Sequence, residues 1–177
     1  MYSGSSSYRY VDPVIRGRSR ALMVCTPYID KHYIKILIKE SRRKKVLLIS
    51  SKASEEKLKR LKRSGINKDA LFFSALYAVF LFAIYPDWIG FYLLFLTPLL
   101  LALAAVAWSF KGNMRVKIIK DRFVHEKLYI NDRAGITGSA NLTFQGMHVN
   151  VEHIDIVSDP DKLKALRKHF LELWESP

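Results

Sequence analysis

The sequence has a single cysteine, Cys25, among its 177 residues. A disulfide framework needs cysteines in pairs, and structural zinc sites usually draw on several of them. The shortage excludes a disulfide-stabilised secreted scaffold and a cysteine-based zinc site. It favours a reducing, cytoplasmic environment.

Acidic residues are also scarce: 29 Lys and Arg stand against 16 Asp and Glu, for a formal net charge of +13. So basic a chain is poorly suited to polycationic partners. It favours polyanionic ones, such as nucleic acid or anionic lipid headgroups. The basic runs SRRKK (41–45) and KLKRLKR (57–63) have an alternative interpretation, which is that they only orient a neighbouring membrane segment.

Charge is almost missing from residues 70–110, where Asp87 is the one charged side chain. Pro86, Asp87 and Gly90 predict a turn that separates an apolar run of about 16 residues from one of about 20, the length of a membrane-spanning helix. The segment is therefore predicted to be a two-helix transmembrane hairpin. A re-entrant first helix and a buried hairpin in a soluble protein are the alternatives.

Basic residues flank this segment on both sides, as KRLKRSGINK before it and KGNMRVK after it. Lys and Arg are enriched on the cytoplasmic side of membrane helices. We therefore expect a multi-pass protein of the cell membrane, with the rest of the chain and both termini in the cytoplasm.

Outside the hairpin, strand-like and helical patterns alternate. Residues 21–29 and 44–50 read as buried strands, each followed by a helix. After the hairpin, four strand-like segments precede an amphipathic helix that begins at Pro160: MRVKII, FVHEKLYI, AGITGSA and VNVEHIDIV. This order predicts an α/β fold with a mixed, largely parallel sheet flanked by helices.

These patterns divide the chain into four segments. Residues 1–10 are polar and Ser-rich without the apolar stretch of a signal peptide, so we expect a flexible tail. Residues 11–69 and 111–177 are expected to form the two parts of one domain. The hairpin at 70–110 is inserted between them.

The stretch FVHEKLYINDRAGITGSANLTF, residues 123–144, holds the chemically informative side chains. If 124–130 is a strand, His125, Lys127 and Tyr129 project from one face, away from the core, and the intervening apolar residues from the other. Further along, Ser139 and Asn141 of GSAN share a face, and Glu152 follows within another strand.

HEKLYIND followed by GSAN resembles the signature of the phospholipase D superfamily, in which His-x-Lys-x4-Asp precedes Gly-Ser-x-Asn. Here five residues separate Asp132 from Gly138, one fewer than is usual in the family, which indicates a tighter turn. The resemblance runs from about residue 11 to the C-terminus, interrupted by 70–110, and implies a phospholipase D-like fold.

The resemblance also implies a mechanism. His125 would attack phosphorus and form a phosphohistidine, while a second histidine protonates the leaving alkoxide. Lys127, Ser139 and Asn141 would surround the nonbridging oxygens and stabilise the charge that develops on them. Glu152 would hold the nucleophilic imidazole in the required tautomer. No metal and no cofactor is required by this chemistry.

The two remaining positions of the motif are expected to have structural roles. Asp132 is expected to form and brace a turn, and Gly138 to shape the GSAN loop. The remaining histidines show no partner in the sequence and are expected at the surface or in structural roles: His32, His148, His153 and His169.

The chain holds one such motif. Small single-motif members of the family pair two identical chains, so the resemblance implies a homodimer that shares one active site on its twofold axis. We expect a membrane-anchored phosphodiesterase, foremost a nuclease acting on nucleic acid. The alternatives are a phospholipase D-type hydrolase or phosphatidyltransferase acting on membrane phospholipid, and an inactive membrane module that binds polyanions.

Overall fold

The computed structural model describes residues 2–63 and 113–176, and between these ranges five helical positions: Leu76, Phe80, Leu96, Leu99 and Leu101. The chain divides into two compact units, Met1–Leu61 with Gly112–Pro177, and Lys62–Lys111. Apart from those five positions, the hairpin predicted for 70–110 lies outside the described residues. No helix within the described ranges has the length and apolar character needed to cross a membrane.

The described part of the first unit is an α/β structure. Its strands are β1 (Tyr2–Gly4), β2 (Ala21–Cys25), β3 (Lys45–Ser51), β4 (Met114–Ile119), β5 (Leu128–Ile130), β6 (Gly135–Gly138) and β7 (Glu152–Val157). Its helices are α1 (Tyr8–Arg16), α2 (Lys31–Glu40), α3 (Glu55–Arg63), α4 (Phe144–His148) and α5 (Pro160–Glu175), and a 3₁₀ turn spans Lys52–Ser54.

The strands form one seven-stranded sheet in the order β1-β7-β6-β5-β2-β3-β4. Parallel pairing joins β2 to β3 and β3 to β4, whereas the other four neighbouring pairs are antiparallel. A mixed sheet is confirmed, but the expectation that it is largely parallel is wrong. The connection from β5 to β6 holds only residues 131–134, too few for the crossover that parallel neighbours require.

The N-terminus corrects a second expectation. Residues 2–10, predicted to belong to a flexible tail, form β1 and the start of α1. Strand β1 pairs with β7, Tyr2 lying opposite Ile154 and Gly4 opposite Glu152. The tail is ordered because the β7 edge supplies backbone partners and α1 buries an apolar face behind it.

Both faces of the sheet are covered. Helices α1, α2 and α4 pack on one face, around Leu22, Val24 and Tyr129. Helix α5 packs on the other, where Leu163 and Phe170 contact a cluster that includes Ile130. Because neither face meets solvent along its centre, polar chemistry is confined to the strand ends.

Lys44, from the basic run 41–45, is part of this buried frame. Its ammonium lies 3.2 Å from the Glu40 carboxylate, with both side chains buried. It also donates to the carbonyl oxygens of Ile15 (2.6 Å) and Gly17 (2.7 Å) at the end of α1. Lys44 therefore links α1 to α2, although it belongs to the basic run 41–45.

Replacing Lys44 by Met should destabilise the fold by about 3–5 kcal/mol, because it leaves a buried carboxylate and two carbonyl groups without their partner. Lys45→Met, at the exposed neighbouring position, is the matched control and should change stability by less than about 0.5 kcal/mol. Urea unfolding of the two variants measures both values. Equal stabilities would show that the buried pair contributes little.

Candidate active site

The predicted catalytic residues lie at one edge of the sheet, whereas Asp132 lies at the opposite end of β5. Strand β5 begins at the catalytic edge, directly after the segment that carries His125 and Lys127. Strand β6 runs antiparallel to β5, with Leu128 opposite Thr137, and so ends at this edge with Gly138 and Ser139. Strand β7 starts here with Glu152. Antiparallel pairing therefore brings the two parts of the motif to the same place.

The segment before β5 differs from the predicted strand. Regular pairing begins at Leu128, and residues 123–127 have no regular secondary structure. His125 is exposed, whereas Lys127 is 4% exposed and its Nζ donates to the His125 carbonyl oxygen over 2.6 Å. The two residues do not share an outward face, because the chain turns between them.

Tyr129 also departs from the prediction. It is buried rather than outward-facing, and its hydroxyl donates to the Ala140 carbonyl oxygen at 2.8 Å. Burial raises the pKa of this phenol, so it stays a neutral donor. The hydrogen bond ties β5 to the GSAN loop. The alternation of residues along a strand predicted that Tyr129 and Lys127 share a face. It does not indicate that helices cover Tyr129.

The Lys127 ammonium sits in an environment that disfavours its charge. Burial lowers the pKa of Lys127 below the 10.5 of an ordinary lysine, and the negative charge of Glu152 opposes that shift. A cation held in a poorly solvated site interacts strongly with any anion that reaches it. The position suits a group that meets a phosphate.

Ser139 and Glu152, both predicted for the site, are in direct contact. The Ser139 hydroxyl donates to one Glu152 carboxylate oxygen and accepts from the His153 backbone N–H at 2.9 Å. The other carboxylate oxygen accepts from Asn150 Nδ2 at 3.2 Å. Among the hydrogen bonds of the described residues, none joins Glu152 to the His125 ring within one chain.

Asn141 has a buried side-chain oxygen without a hydrogen-bond partner among the described residues. Its backbone is held closely: a Cβ on Gly146 would lie 2.6 Å from the Asn141 carbonyl oxygen, so only glycine fits there. A buried polar atom without a partner is costly, typically by about 1–3 kcal/mol. The unpaired atom is Asn141 Oδ1, an acceptor, so a further partner of this atom must be a hydrogen-bond donor.

Asp132 and Gly138 occupy structural positions. The Asp132 carboxylate accepts the Arg20 backbone N–H at 2.5 Å, at the far end of β5 from His125. The turn itself is formed by Asn131, whose side-chain oxygen accepts from the N–H groups of Arg133 and Ala134. A Cβ on Gly138 would lie 2.0 Å from the His153 carbonyl oxygen, so only glycine allows β6 and β7 to approach here.

Two residues that position the GSAN loop were not identified from the sequence. Thr26 Oγ1 accepts the Leu142 N–H at 3.2 Å. Asp30, the residue that caps α2, also donates its backbone N–H to the Leu142 carbonyl oxygen at 3.1 Å. An Asp directly before a helical segment is a recognisable cap in a sequence. The contacts of Thr26 and Asp30 with Leu142 join residues more than a hundred positions apart, and no local pattern predicts them.

The rings of the other described histidines contact residues other than His125. His148 stacks on Tyr8 and Phe144 and lies 3.4 Å from the Tyr33 hydroxyl. His153 pairs with Asp155 at 2.9 Å, and His169 with Glu126 at 2.9 Å. His32 is exposed on α2 and meets the Tyr33 ring edge-on. In the described ranges, no group of three or more His, Cys, Asp or Glu is arranged to hold a metal ion.

The sequence and the fold can now be compared with known proteins. Residues 101–174, which include all the motif residues, match the family model described as cardiolipin synthase, PLD-like domain. Nuc from Salmonella typhimurium, a phospholipase D family member, shares the fold with a TM-score of 0.57 at 15% identity, over 98% of this chain and 92% of that one. No curated protein matches the chain significantly.

Two further structures share the fold. The archaeal chromatin protein TrmBL2, described as showing a novel mode of DNA binding, has a TM-score of 0.56 at 14% identity, over 98% of this chain and 51% of that one. Phosphatidylserine synthase from Haemophilus influenzae Rd KW20 has a TM-score of 0.51 at 16% identity, over 96% of this chain and 37% of that one. The chain thus spans about half or less of these two proteins.

Residues 101–174 thus match a PLD-like domain model, and the chain shares its fold with a phospholipase D family member. At such identities the structural likeness concerns the fold, and what the domain acts on must be argued from its own site.

The Lys127 environment leads to a measurable titration. Because burial lowers the folded-state pKa, the ammonium should lose its proton at a lower pH in the folded protein than in the urea-unfolded chain. The ¹³Cε chemical shift of Lys127, assigned by its loss in Lys127→Arg, reports both titrations. A folded-state midpoint at or above the unfolded one would contradict the burial argument.

Proposed function

We propose that this chain is a phosphodiesterase of the phospholipase D superfamily that acts through a phosphohistidine on His125. The observation that carries the proposal is the meeting, at one sheet edge, of the exposed His125 imidazole and buried Lys127 with Ser139 and Glu152. These groups belong to sequence segments joined by an antiparallel ladder. Their types match the roles that phosphoryl transfer requires.

In the proposed first step, a neutral His125 nitrogen forms a bond to phosphorus while the bond from phosphorus to the leaving oxygen breaks. In the second step, water attacks phosphorus and gives a proton to the histidine that had protonated the leaving oxygen, while the bond from phosphorus to the imidazole breaks. Lys127 donates one N–H to the His125 carbonyl oxygen, and in this proposal its other N–H groups bind a nonbridging oxygen. Ser139 and Asn141 complete the oxygen-binding set, and the chemistry needs no metal.

The leaving oxygen needs a proton from a second histidine. Within one chain, the rings of the other described histidines contact Tyr33, Asp155 and Glu126, and none of these contacts is with the His125 ring. We therefore propose a homodimer in which His125 of a second copy supplies the proton and Glu152 orients an imidazole across the interface. A single-chain mass by light scattering on active protein would rule this arrangement out.

Nucleic acid is the proposed substrate class. The net charge of +13 favours a polyanion, and a site built around a phosphate reads the backbone rather than the base sequence. A second candidate is phospholipid, because the family model matched is that of cardiolipin synthase. A membrane anchor in residues 70–110 would also bring the site near a bilayer.

The proposed activity is tested by offering single-stranded DNA, duplex DNA, RNA, and anionic and zwitterionic phospholipid in mixed micelles, with chelator present. We expect nucleic-acid cleavage that falls by several orders of magnitude in His125→Ala, because the nucleophile is lost. Acid quenching should trap labelled phosphate on His125. His32→Ala, at another exposed histidine, should retain activity.

Two outcomes would contradict the nuclease assignment. If phospholipid is cleaved in a His125-dependent way while DNA and RNA stay intact at low salt, the lipid enzyme replaces the nuclease. If no substrate is turned over although nucleic acid binds, the chain is an inactive polyanion-binding module.

We also propose that residues 70–110 anchor the protein in the cell membrane, with the catalytic domain and both termini cytoplasmic. Within this segment, the described residues Leu76, Phe80, Leu96, Leu99 and Leu101 are helical, apolar and exposed. Exposed large apolar side chains on helices suit contact with lipid. The uncharged composition of the segment and its basic flanks support the same arrangement.

Cysteine labelling in intact cells tests this topology. The native Cys25 is a silent background, because it is buried and burial raises the pKa of its thiol to about 12. Cysteines replacing the exposed Ser5 and Ser158 should be shielded from an impermeant reagent until the cells are permeabilised. A cysteine replacing Asp87 should react in intact cells, and protection there would contradict a double crossing.

A further inference from the structure

Two exposed aromatic rings lie near His125: Phe123 is next to His125, and Tyr28 is next to Phe123. Phe123 is 58% exposed, and its ring centroid lies 5.8 Å from that of His125. Tyr28 is 44% exposed, and its centroid lies 6.1 Å from that of Phe123. The three rings form a continuous row at the edge of the sheet, referred to below as the aromatic row. No step of the proposed phosphoryl transfer uses Tyr28 or Phe123.

The backbone beneath Tyr28 is held in place. The Pro27 carbonyl oxygen accepts from the Ser51 hydroxyl at 2.7 Å and from the Ser54 hydroxyl at 3.0 Å. The Tyr28 carbonyl oxygen accepts from the Thr26 hydroxyl at 2.9 Å. A ring that stays exposed on a fixed backbone loses little conformational freedom when a ligand stacks on it.

Phe123 is exposed although its neighbour is not. Val124 packs into the core beneath the sheet edge, which anchors the segment and turns the preceding ring outward. Several other large aromatic side chains are buried, among them Tyr33, Tyr129 and Phe170, although Phe144 is also exposed. The fold can therefore bury aromatic rings, yet it leaves these two in solvent beside the nucleophile.

Cationic side chains lie at the same edge. Lys52 follows the end of β3, and Lys120 and Arg122 follow the end of β4; all three are exposed. Lys120 lies 3.1 Å from Glu55, and Arg122 donates to the Ser176 hydroxyl at 2.9 Å. Exposed rings interspersed with basic side chains characterise surfaces that bind single-stranded nucleic acid.

We propose that Tyr28 and Phe123 stack an unpaired nucleobase next to the phosphate at His125, so that the site selects single-stranded over duplex nucleic acid. The inference rests on the proposed function and specifies its substrate. A duplex keeps its bases stacked on each other and offers no free base face to the aromatic row. A single strand can place a base on the row while its phosphate reaches His125.

The test compares Phe123→Leu and Tyr28→Leu with wild type on three substrates: a single-stranded oligonucleotide, its duplex, and the same single strand with abasic sites. Each variant should lower kcat/KM on the base-containing single strand about tenfold, because stacking on an aromatic side chain is lost. The duplex and abasic strands should be cleaved no more slowly than by wild type.

Phe144→Leu is the matched control, since Phe144 is 59% exposed and its ring contacts His148 instead of His125. It should leave all three rates unchanged. If Phe123→Leu lowers kcat/KM equally on the base-containing and the abasic strands, the aromatic row has only a structural role and the proposal is wrong. A loss confined to phospholipid cleavage in mixed micelles would make the rings a lipid contact and overturn the proposal.

Binding separates this inference from the nuclease proposal. In a His125→Ala background, fluorescence anisotropy with the single-stranded oligonucleotide should show affinity weakened about tenfold by Phe123→Leu. If wild type cleaves no nucleic acid but this loss of affinity is found, the nuclease proposal fails and base stacking stands. If cleavage occurs and neither the affinity nor kcat/KM changes, base stacking fails and the nuclease proposal stands.

Discussion

The close antiparallel approach of β6 to β7 is the constraint on which the site depends. At Gly138 the two backbones come so near that any Cβ would overlap the His153 carbonyl group. The same ladder fixes Ser139 against Glu152 and, through β5, sets both beside the segment of His125. A one-residue slip in this ladder would turn each of these side chains to the opposite face.

Burial on both sheet faces explains why the chemistry lies at an edge. Helices cover each face, so a polar side chain in mid-strand has no solvent to meet, and Tyr129 must find a partner in the Ala140 carbonyl oxygen. Strand ends are the places where loops expose backbone and side chains together. His125 is exposed at such an end, whereas Lys127, two residues later in the sequence, is buried.

This contrast between neighbouring residues has an electrostatic consequence. The His125 ring is solvated and free to meet a substrate, whereas the Lys127 ammonium is held by the His125 carbonyl and shielded from water. A phosphate that approaches the ring therefore meets a cation whose attraction is weakly screened. The proposed nucleophile and the proposed charge stabiliser are therefore joined by one short piece of backbone.

Several features were readable from the sequence because they depend on local chemistry. The residue types of the motif, the helix start at Pro160 and the strand at 114–119 are of this kind. The tertiary structure alone decided that β5 to β7 run antiparallel, that Tyr2 belongs to a strand, and that Tyr129 and Lys127 are buried. Alternation along a strand identifies its two faces, but only the packing of distant segments determines which face is covered and which edge is paired.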